Sequence, residues 1–268
     1  MNVAVIGHVE WIEFVRVEHV PAQGEIVHAI ETWAEAAGGG AVAAVQLARL
    51  AGASTLFTAV GDDELGKRVE PALAEYGVRV HAAVRPESQR RGFTFVDASG
   101  ERTITVIGER LGPRRSDDLP WDALVSMDAV YFVSGDPAAV RAARKAKVLV
   151  ATARSLAALQ EARVELDALV RSRNDVGETY KPGDLDPPPR IDVATVGQLG
   201  GRFTVEGGPS HYQAAAVPGP LQDTYGAGDS FAAGLTYGLG EGLAVDEAIR
   251  LAARTGAAAL ARRGAHGV

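Results

Sequence analysis

Asp223-Thr224-Tyr225-Gly226-Ala227-Gly228-Asp229-Ser230-Phe231 is the stretch of this sequence best equipped for chemistry, and an apolar, helix-like run follows it. Gly226 and Gly228 let the backbone turn tightly and approach a ligand closely. A helix starting just after them aims unpaired N–H groups, and the positive end of its dipole, into the same space. Such a place holds an anion, and a transferring phosphoryl group is the anion most often held this way. Asp229 follows the last glycine, so its carboxylate lies beside that anion site. Phosphoryl transfer needs positioning, charge stabilisation and one base to orient the attacking hydroxyl. A bare Gly-Ala-Gly-Asp has a blander reading, in which Asp229 merely caps its helix.

Two other glycine-rich stretches compete for attention. Gly61 to Lys67 fits the spacing of a P-loop, but Arg68 stands where Ser or Thr would meet Mg²⁺, and Asp62, Asp63 and Glu64 would repel phosphates. Gly38-x-Gly40-x-x-Ala43 resembles a dinucleotide fingerprint, yet it is not in the first strand–helix turn. Neither accounts for the Asp223–Phe231 string.

The elements that must position these residues alternate along the chain. Val3 to Gly7 reads as a buried strand ended by a turn, and 13–18 and 26–33 as strands with one wet face. Phe93 and Phe95, a turn at Asp97-Ala98-Ser99-Gly100, then Ile104 and Val106 give a hairpin over 91–107. Strands are expected at Thr55–Val60, Ala129–Val133, Val148–Thr152, Leu166–Val170 and Val193–Val196, and helices at Val42–Leu50, 137–146, Ser230–Leu239 and Val245–Arg262. In the last helix Val245, Ile249, Ala252, Gly256 and Ala259 share a face. Lys181 to Pro189, with three successive prolines, reads as a surface loop. The implied fold class is α/β: a mostly parallel central sheet flanked by helices, with a small β-sheet standing apart, all within one domain spanning 1–268.

Composition narrows the function classes. The 268 residues are 47% hydrophobic and 23% charged, with a formal net charge of −7, which disfavours nucleic acid or an anionic membrane as a partner. No cysteine is present, so disulfides, thiolate metal sites and cysteine catalysis are excluded, and the six histidines show no paired metal spacing. The N-terminus lacks a signal-peptide pattern and no run reaches the ~20 apolar residues of a membrane span, which points to the cytoplasm.

The string ending in Asp229 resembles the C-terminal signature of the ribokinase-like (PfkB-type) carbohydrate kinases. Gly38-Gly39-Gly40-Ala41 running into Leu47–Gly52 is similar to that family's N-terminal glycine signature, and Val60 to Gly66 to the segment after it. Thr195-Val196-Gly197-Gln198-Leu199-Gly200-Gly201 resembles the strand and turn approaching the nucleotide, Gly100–Thr103 the lid hairpin and Pro21–Glu25 the earlier lid turn. The resemblance implies ATP with Mg²⁺, a sugar or nucleoside substrate, lid strands near 10–34 and 91–107, and often a homodimer through them. By the same resemblance Gly226, Ala227 and Gly228 form the anion hole, Asp229 is the base, and Gly39 and Gly40 meet the substrate. Thr195, Gly197, Gly200 and Thr224 would line the nucleotide, with a monovalent cation such as K⁺ near Asp223.

Departures from the family pattern bear on the substrate. Where relatives carry an Asp that holds substrate hydroxyls, this chain has Ile12, and Glu10 is the candidate substitute, its alternative being an exposed strand residue. Val42 replaces a usual Asn, so the pocket is expected to be more apolar, as for a nucleoside, or to serve only binding, as in a silent sensor. The family's Asn-x-x-Glu motif is approximated by Asp175-Val176-Gly177-Glu178, with Asn174 displaced by one; Glu178 is carried over as a Mg²⁺-linked residue. Trp11, Phe14 and Trp33 read as packing of the lid strands, with a substrate pocket or a dimer surface as alternatives. The short passage from Glu178 to the next strand would leave the outer side of the sheet exposed or covered by a partner.

Overall fold

The computed structural model describes residues 1–267. Short runs that alternate in burial direction, rather than in polarity, build the main sheet. In β1 (Val3–Ile6), Val3 and Val5 point into one apolar cluster while Ala4 and Ile6 point into another on the opposite face. A strand buried on both sides must be apolar throughout, and this one is.

After β1 the chain forms β2 (Glu10–Arg16) and β3 (Glu31–Ala37), then α1 (Gly38–Ala51), β4 (Ser54–Gly61), α2 (Glu64–Ala74) and β5 (Val78–Arg85). The hairpin β6 (Arg91–Val96) and β7 (Arg102–Ile107) follows, then β8 (Ala129–Phe132), α3 (Pro137–Ala143), β9 (Val148–Thr152) and α4 (Leu156–Ala162). The last third contributes β10 (Ala168–Ser172), β11 (Ile191–Thr195), β12 (Gly201–Val205), β13 (Gly208–Tyr212), α5 (Ala227–Gly240) and α6 (Val245–Leu260). The main sheet runs β13-β12-β11-β10-β9-β8-β1-β4-β5, parallel from β11 to β5 and antiparallel at β12 and β13. Residues from α1, α2, α5 and α6 fill the cluster on one face and residues from α3 and α4 that on the other.

The small sheet runs β3-β2-β6-β7, with β2 and β6 parallel and the other pairs antiparallel. A third apolar cluster of Ile12, Phe14, Ala37, Val42, Val96, Tyr225 and Ala265 joins it to the main body. Phe14 stacks on Trp33 at 4.9 Å and meets Tyr225 edge-on at 5.1 Å, while Trp11 lies under the Arg68 guanidinium. The three aromatics are packing residues here.

The strands expected at 13–18 and 26–33 lie instead at Glu10–Arg16 and Glu31–Ala37. Ala and Glu are weak strand formers, so the second was illegible from propensity; pairing along the whole of β2 makes it a strand. The loop at 181–189 is not wholly a surface feature, since Tyr180 beside it and Leu185 within it are buried against the α3–α4 side. The P-loop-like segment is a capped helix start. Asp63 Oδ1 accepts from Gly66 N at 2.8 Å and Oδ2 from Gln89 N at 2.9 Å, so its acid anchors backbone rather than facing a phosphate.

Candidate active site

Asp229 does not cap its helix. The N-cap of α5 is Gly226, in the left-handed region at φ 72°, and no side chain bonds the cap. That conformation favours glycine, and a Cβ there would also press on Val42 Cγ1 at 2.8 Å. The first helical bond runs from Ser230 N to Gly226 O, so the amides of Ala227, Gly228 and Asp229 precede any intrahelical acceptor. The Asp229 carboxylate makes no hydrogen bond among the described residues, and stands beside that row of donors.

The opposite wall is the glycine triplet. A Cβ at Gly39 would come 2.9 Å from Asp229 Oδ1 and 3.1 Å from Val133 Cγ1, so only glycine leaves room at the acid. At Gly40 a Cβ would fall 2.5 Å from His8 O and 2.9 Å from Gly7 C, because α1 is pressed onto the turn after β1. Gly38 takes φ 83° and donates to Tyr225 Oη at 3.1 Å, linking the two glycine-rich segments directly. The residues from 38–40 and 226–229, far apart in the chain, thus meet across the C-terminal edge of β8, the usual ligand face of a parallel sheet.

Charge around Asp229 is arranged in two groups. On one side Glu178 Oε2 accepts from Ser172 N at 2.6 Å and Oε1 from Arg154 Nη2 at 3.0 Å, and Arg154 Nη2 also binds Asp175. On the other, Glu10 is buried and its Oε1 lies 2.7 Å from Arg90 Nε and 3.5 Å from His8 Nε2. Burial raises the Glu10 carboxyl despite the opposing Arg90, Arg110 and Arg154, and burial, then those same cations, hold His8 well below its ordinary value. Burial, with Glu178 second, pushes Asp229 up to about 6.

Sequence reasoning placed Glu10 either in the site or on an exposed strand; the second alternative fails, because the side chain is enclosed. Ile12 and Val42 were expected to make the pocket apolar. Both are buried in the cluster that joins the small sheet to the loop before α5, where their apolarity serves packing. Arg154, Arg90 and His8 were missed. No local pattern marks them, since each acquires its role only when strand ends distant in sequence converge.

Thr224 lies between the small sheet and the glycine loop: its Oγ1 donates to Glu101 Oε1 at 2.8 Å and accepts from Arg102 Nη1 at 2.9 Å. Thr195 closes β11, Gly197 and Gly200 take φ 56° and 80° in the turn beyond it, and a Cβ at Gly200 would strike the backbone of Tyr212 and Gln213. Thr195, Gly197 and Gly200 lie on the β11 side of the sheet, Thr224 lies against the small sheet, and Gly39, Gly40 and Glu10 lie on the β1 side. Asp223 is fully buried, its Oδ1 accepting from Tyr225 N at 2.9 Å and Oδ2 from Gly264 N at 2.6 Å.

Asp223 fits a monovalent cation, for it is a buried carboxylate with spare lone pairs and, among the described residues, no Lys, Arg or His within 4.0 Å. Glu178 could offer Mg²⁺ one carboxylate, whose oxygens also accept from Ser172 N and Arg154 Nη2, so the remaining ligands would have to come from phosphates and water. Among the described residues no group of three or more acidic, His or Cys side chains could hold a metal by itself.

Residues 1–175 and 193–267 match the pfkB family carbohydrate kinase profile, and the chain belongs to that family. The unmatched stretch contains Glu178 and the short passage to β11. No curated protein sequence matches. Solved structures of the same fold include a candidate ribokinase from Agrobacterium tumefaciens, at TM-score 0.83 and 23% identity over 99% of this chain and 93% of that one. Others are ribokinase of Arabidopsis thaliana complexed with ribose and ATP, at 0.74 and 20% over 98% and 93%, and adenosine kinase of Sinorhizobium meliloti, at 0.76 and 19% over 97% and 93%.

Proposed function

We propose that this chain, folded as one domain, is an ATP-dependent kinase that transfers the γ-phosphoryl group to a hydroxyl of a sugar or nucleoside, with Asp229 as its base. The observation that carries the reading is the free Asp229 carboxylate, raised to about 6 and set beside the open amides of α5. A base poised near neutral pH takes a hydroxyl proton while the neighbouring N–H groups receive the charge developing on the phosphoryl oxygens.

ATP would lie along the turn after β11, against Thr195, Gly197, Gly200 and Thr224, with its γ-phosphate at Ala227 and Gly228. The Arabidopsis ribokinase complexed with ribose and ATP supports this choice of nucleotide. Mg²⁺, held by the phosphates and Glu178, would supply charge neutralisation, and K⁺ at Asp223 would brace the loop. The acceptor would rest on Gly39, Gly40 and Glu10. The small sheet would act as a lid that excludes water, the competing acceptor. No described helix is long and apolar enough to cross a membrane, and a cytoplasmic setting supplies the ATP. Two copies would pair through the small sheets, whose β7 is exposed along its length.

The test is ADP release with ATP and Mg²⁺ over a panel of sugars and nucleosides, wild type beside Asp229→Asn. Acceptor-dependent turnover that falls by about 10² to 10⁴ in the variant, with ATP affinity kept, is the expected result. Saturable ATP binding without turnover on any acceptor would turn the reading toward a ligand sensor.

A further inference from the structure

A cleft of about 450 Å³ opens past the ends of β5, β8 and β9, and Arg85, Arg110, Arg114 and Arg154 line it together with Ser134 and Asp136. In a chain of net charge −7, four guanidiniums around one cleft call for a reason. Two of the four are visibly engaged. Arg85 gives both Nη atoms to Asp117, at 2.8 and 2.6 Å. Arg154 binds Asp175 and Glu178 through Nη2 alone, so its Nη1 and Nε have no acceptor among the described residues.

Arg110 has no carboxylate within 4.0 Å among the described residues, although Glu87 and Glu109 also line the cleft. Its nearest charged influences, after desolvation, are Arg90, Glu10 and Arg154, and the net effect is to loosen its proton. Arg85, Arg90 and Arg154 each have a carboxylate partner and Arg110 has none among the described residues, so a bound anion would offset the desolvation and repulsion that Arg110 alone bears.

The position of the cleft says which ligand carries the anion. Arg85 ends β5, Ser134 follows β8 and Arg154 follows β9, so the cleft lies along the part of the sheet that runs from β9 to β5. The turn proposed for the nucleotide is on the other side of Asp229, beyond β10. Ser134 Oγ is 3.2 Å from His8 Nδ1, and Val133 beside it contacts the Gly39 position, so the cleft continues into the acceptor side of the site.

We infer that the acceptor is itself anionic: besides the hydroxyl presented to Asp229, it carries a carboxylate or phosphate group that Arg110, the open edge of Arg154 and Ser134 hold. This rests on the kinase reading for its hydroxyl, and on the cleft alone for its anion. Arg110 would set specificity for the charged group and take no part in the transfer.

The experiment has two arms on wild type and Arg110→Gln, a surface change whose fold is checked by thermal melting. The binding arm titrates inorganic phosphate and gluconate, reading the shift of melting temperature, and needs no turnover. The kinetic arm compares fructose with fructose 6-phosphate, and glucose with gluconate. Expected are stabilisation by at least one anion that is lost in the variant, and a charged acceptor preferred over its neutral counterpart. Arg110→Gln should cost that acceptor roughly ten- to a hundredfold in kcat/KM and leave the KM for ATP unchanged. Whichever of phosphate and carboxylate responds identifies the group.

Anion binding lost in the variant, but no turnover on any acceptor, would keep the anion site and sink the kinase reading. Equal use of neutral and charged acceptors, anion binding indifferent to Arg110, or a variant that raises only the KM for ATP would each overturn the inference.

Discussion

At the scale of the residue, the chemistry turns on one carboxyl group whose proton affinity is set by its neighbours. Asp229 is pushed up to about 6 by burial first and Glu178 second. A base works unprotonated, so kcat should rise with pH through about 6 and level off above it. Glu178→Gln removes the second cause and leaves Arg154 to oppose burial, so the acidic limb should move to lower pH; a limb that stays in place would take Glu178 out of the electrostatics. The same raised value opposes folding once the unfolded chain ionises, from about pH 4 upward. Asp229→Asn should therefore be more stable than wild type at pH 7 by a few degrees in Tm, and no more stable at pH 3. The glycine wall makes a second, geometric prediction. Gly39→Ala places a methyl group 2.9 Å from Asp229 Oδ1, where a side chain can shift, so kcat should fall about tenfold or more with little loss of stability. Gly40→Ala meets backbone at 2.5 Å and should instead lower Tm markedly, by the order of 2 kcal/mol or more of strain. Comparing melting curves with kcat for the two variants separates the roles. The glycines and Asp229 were legible because each needs a residue type at a fixed spacing. Arg90, Arg110 and Arg154 were not, since an arginine becomes a site residue only through partners the sequence does not place.

At the scale of the element, legibility followed packing. Helices α5 and α6 and the inner main-sheet strands β1, β4 and β8 to β11 could be read because two-sided burial writes a continuous apolar run. Helix α2, strand β5 and the β12–β13 hairpin were passed over: α2 mixes charge with Pro71, and β13 alternates polar residues on an edge. The small sheet's strand limits slipped by several residues for the reason given by β3, that pairing overrode weak propensity. Its attachment makes a prediction of its own. In β7, Ile104 faces the same side as Thr94, and Val106 the same side as Gly92, both paired to buried positions of β6, yet they are 41% and 48% exposed. Arg102 fixes that hairpin to the glycine loop through Thr224. Arg102→Ala removes an exposed link and should change stability by less than about 1 kcal/mol. It should also raise the acceptor KM and the ADP formed per molecule of phosphorylated product, because a loosened lid admits water. A product-to-ADP ratio equal to wild type would show that Arg102 does not govern closure.

At the scale of the whole molecule, the main sheet is covered on both faces over its inner strands. Strands β12 and β13 leave alternate residues exposed on the outer side, in keeping with the short passage after Glu178, and the small sheet is open too. Its β7 is an edge strand exposed at all six positions, and free edges with apolar side chains are surfaces that proteins cover or charge. Arg102 is the only charge on it. On the face away from the main body, Phe93 and Phe95 meet at 5.2 Å and Ile107 is 48% exposed, which is more apolar surface than one strand pair normally leaves wet. A second copy would cover both features at once, and a two-fold axis places the same patch on each partner. Sedimentation equilibrium should therefore show a dimer at micromolar concentration. Phe93→Lys together with Ile107→Lys should sediment as a monomer with its thermal stability nearly kept, since neither side chain is part of the core clusters. If wild type sediments as a monomer throughout, the patch belongs to lid closure alone, and slower hydrogen exchange in β6 and β7 on adding acceptor and nucleotide would then be required.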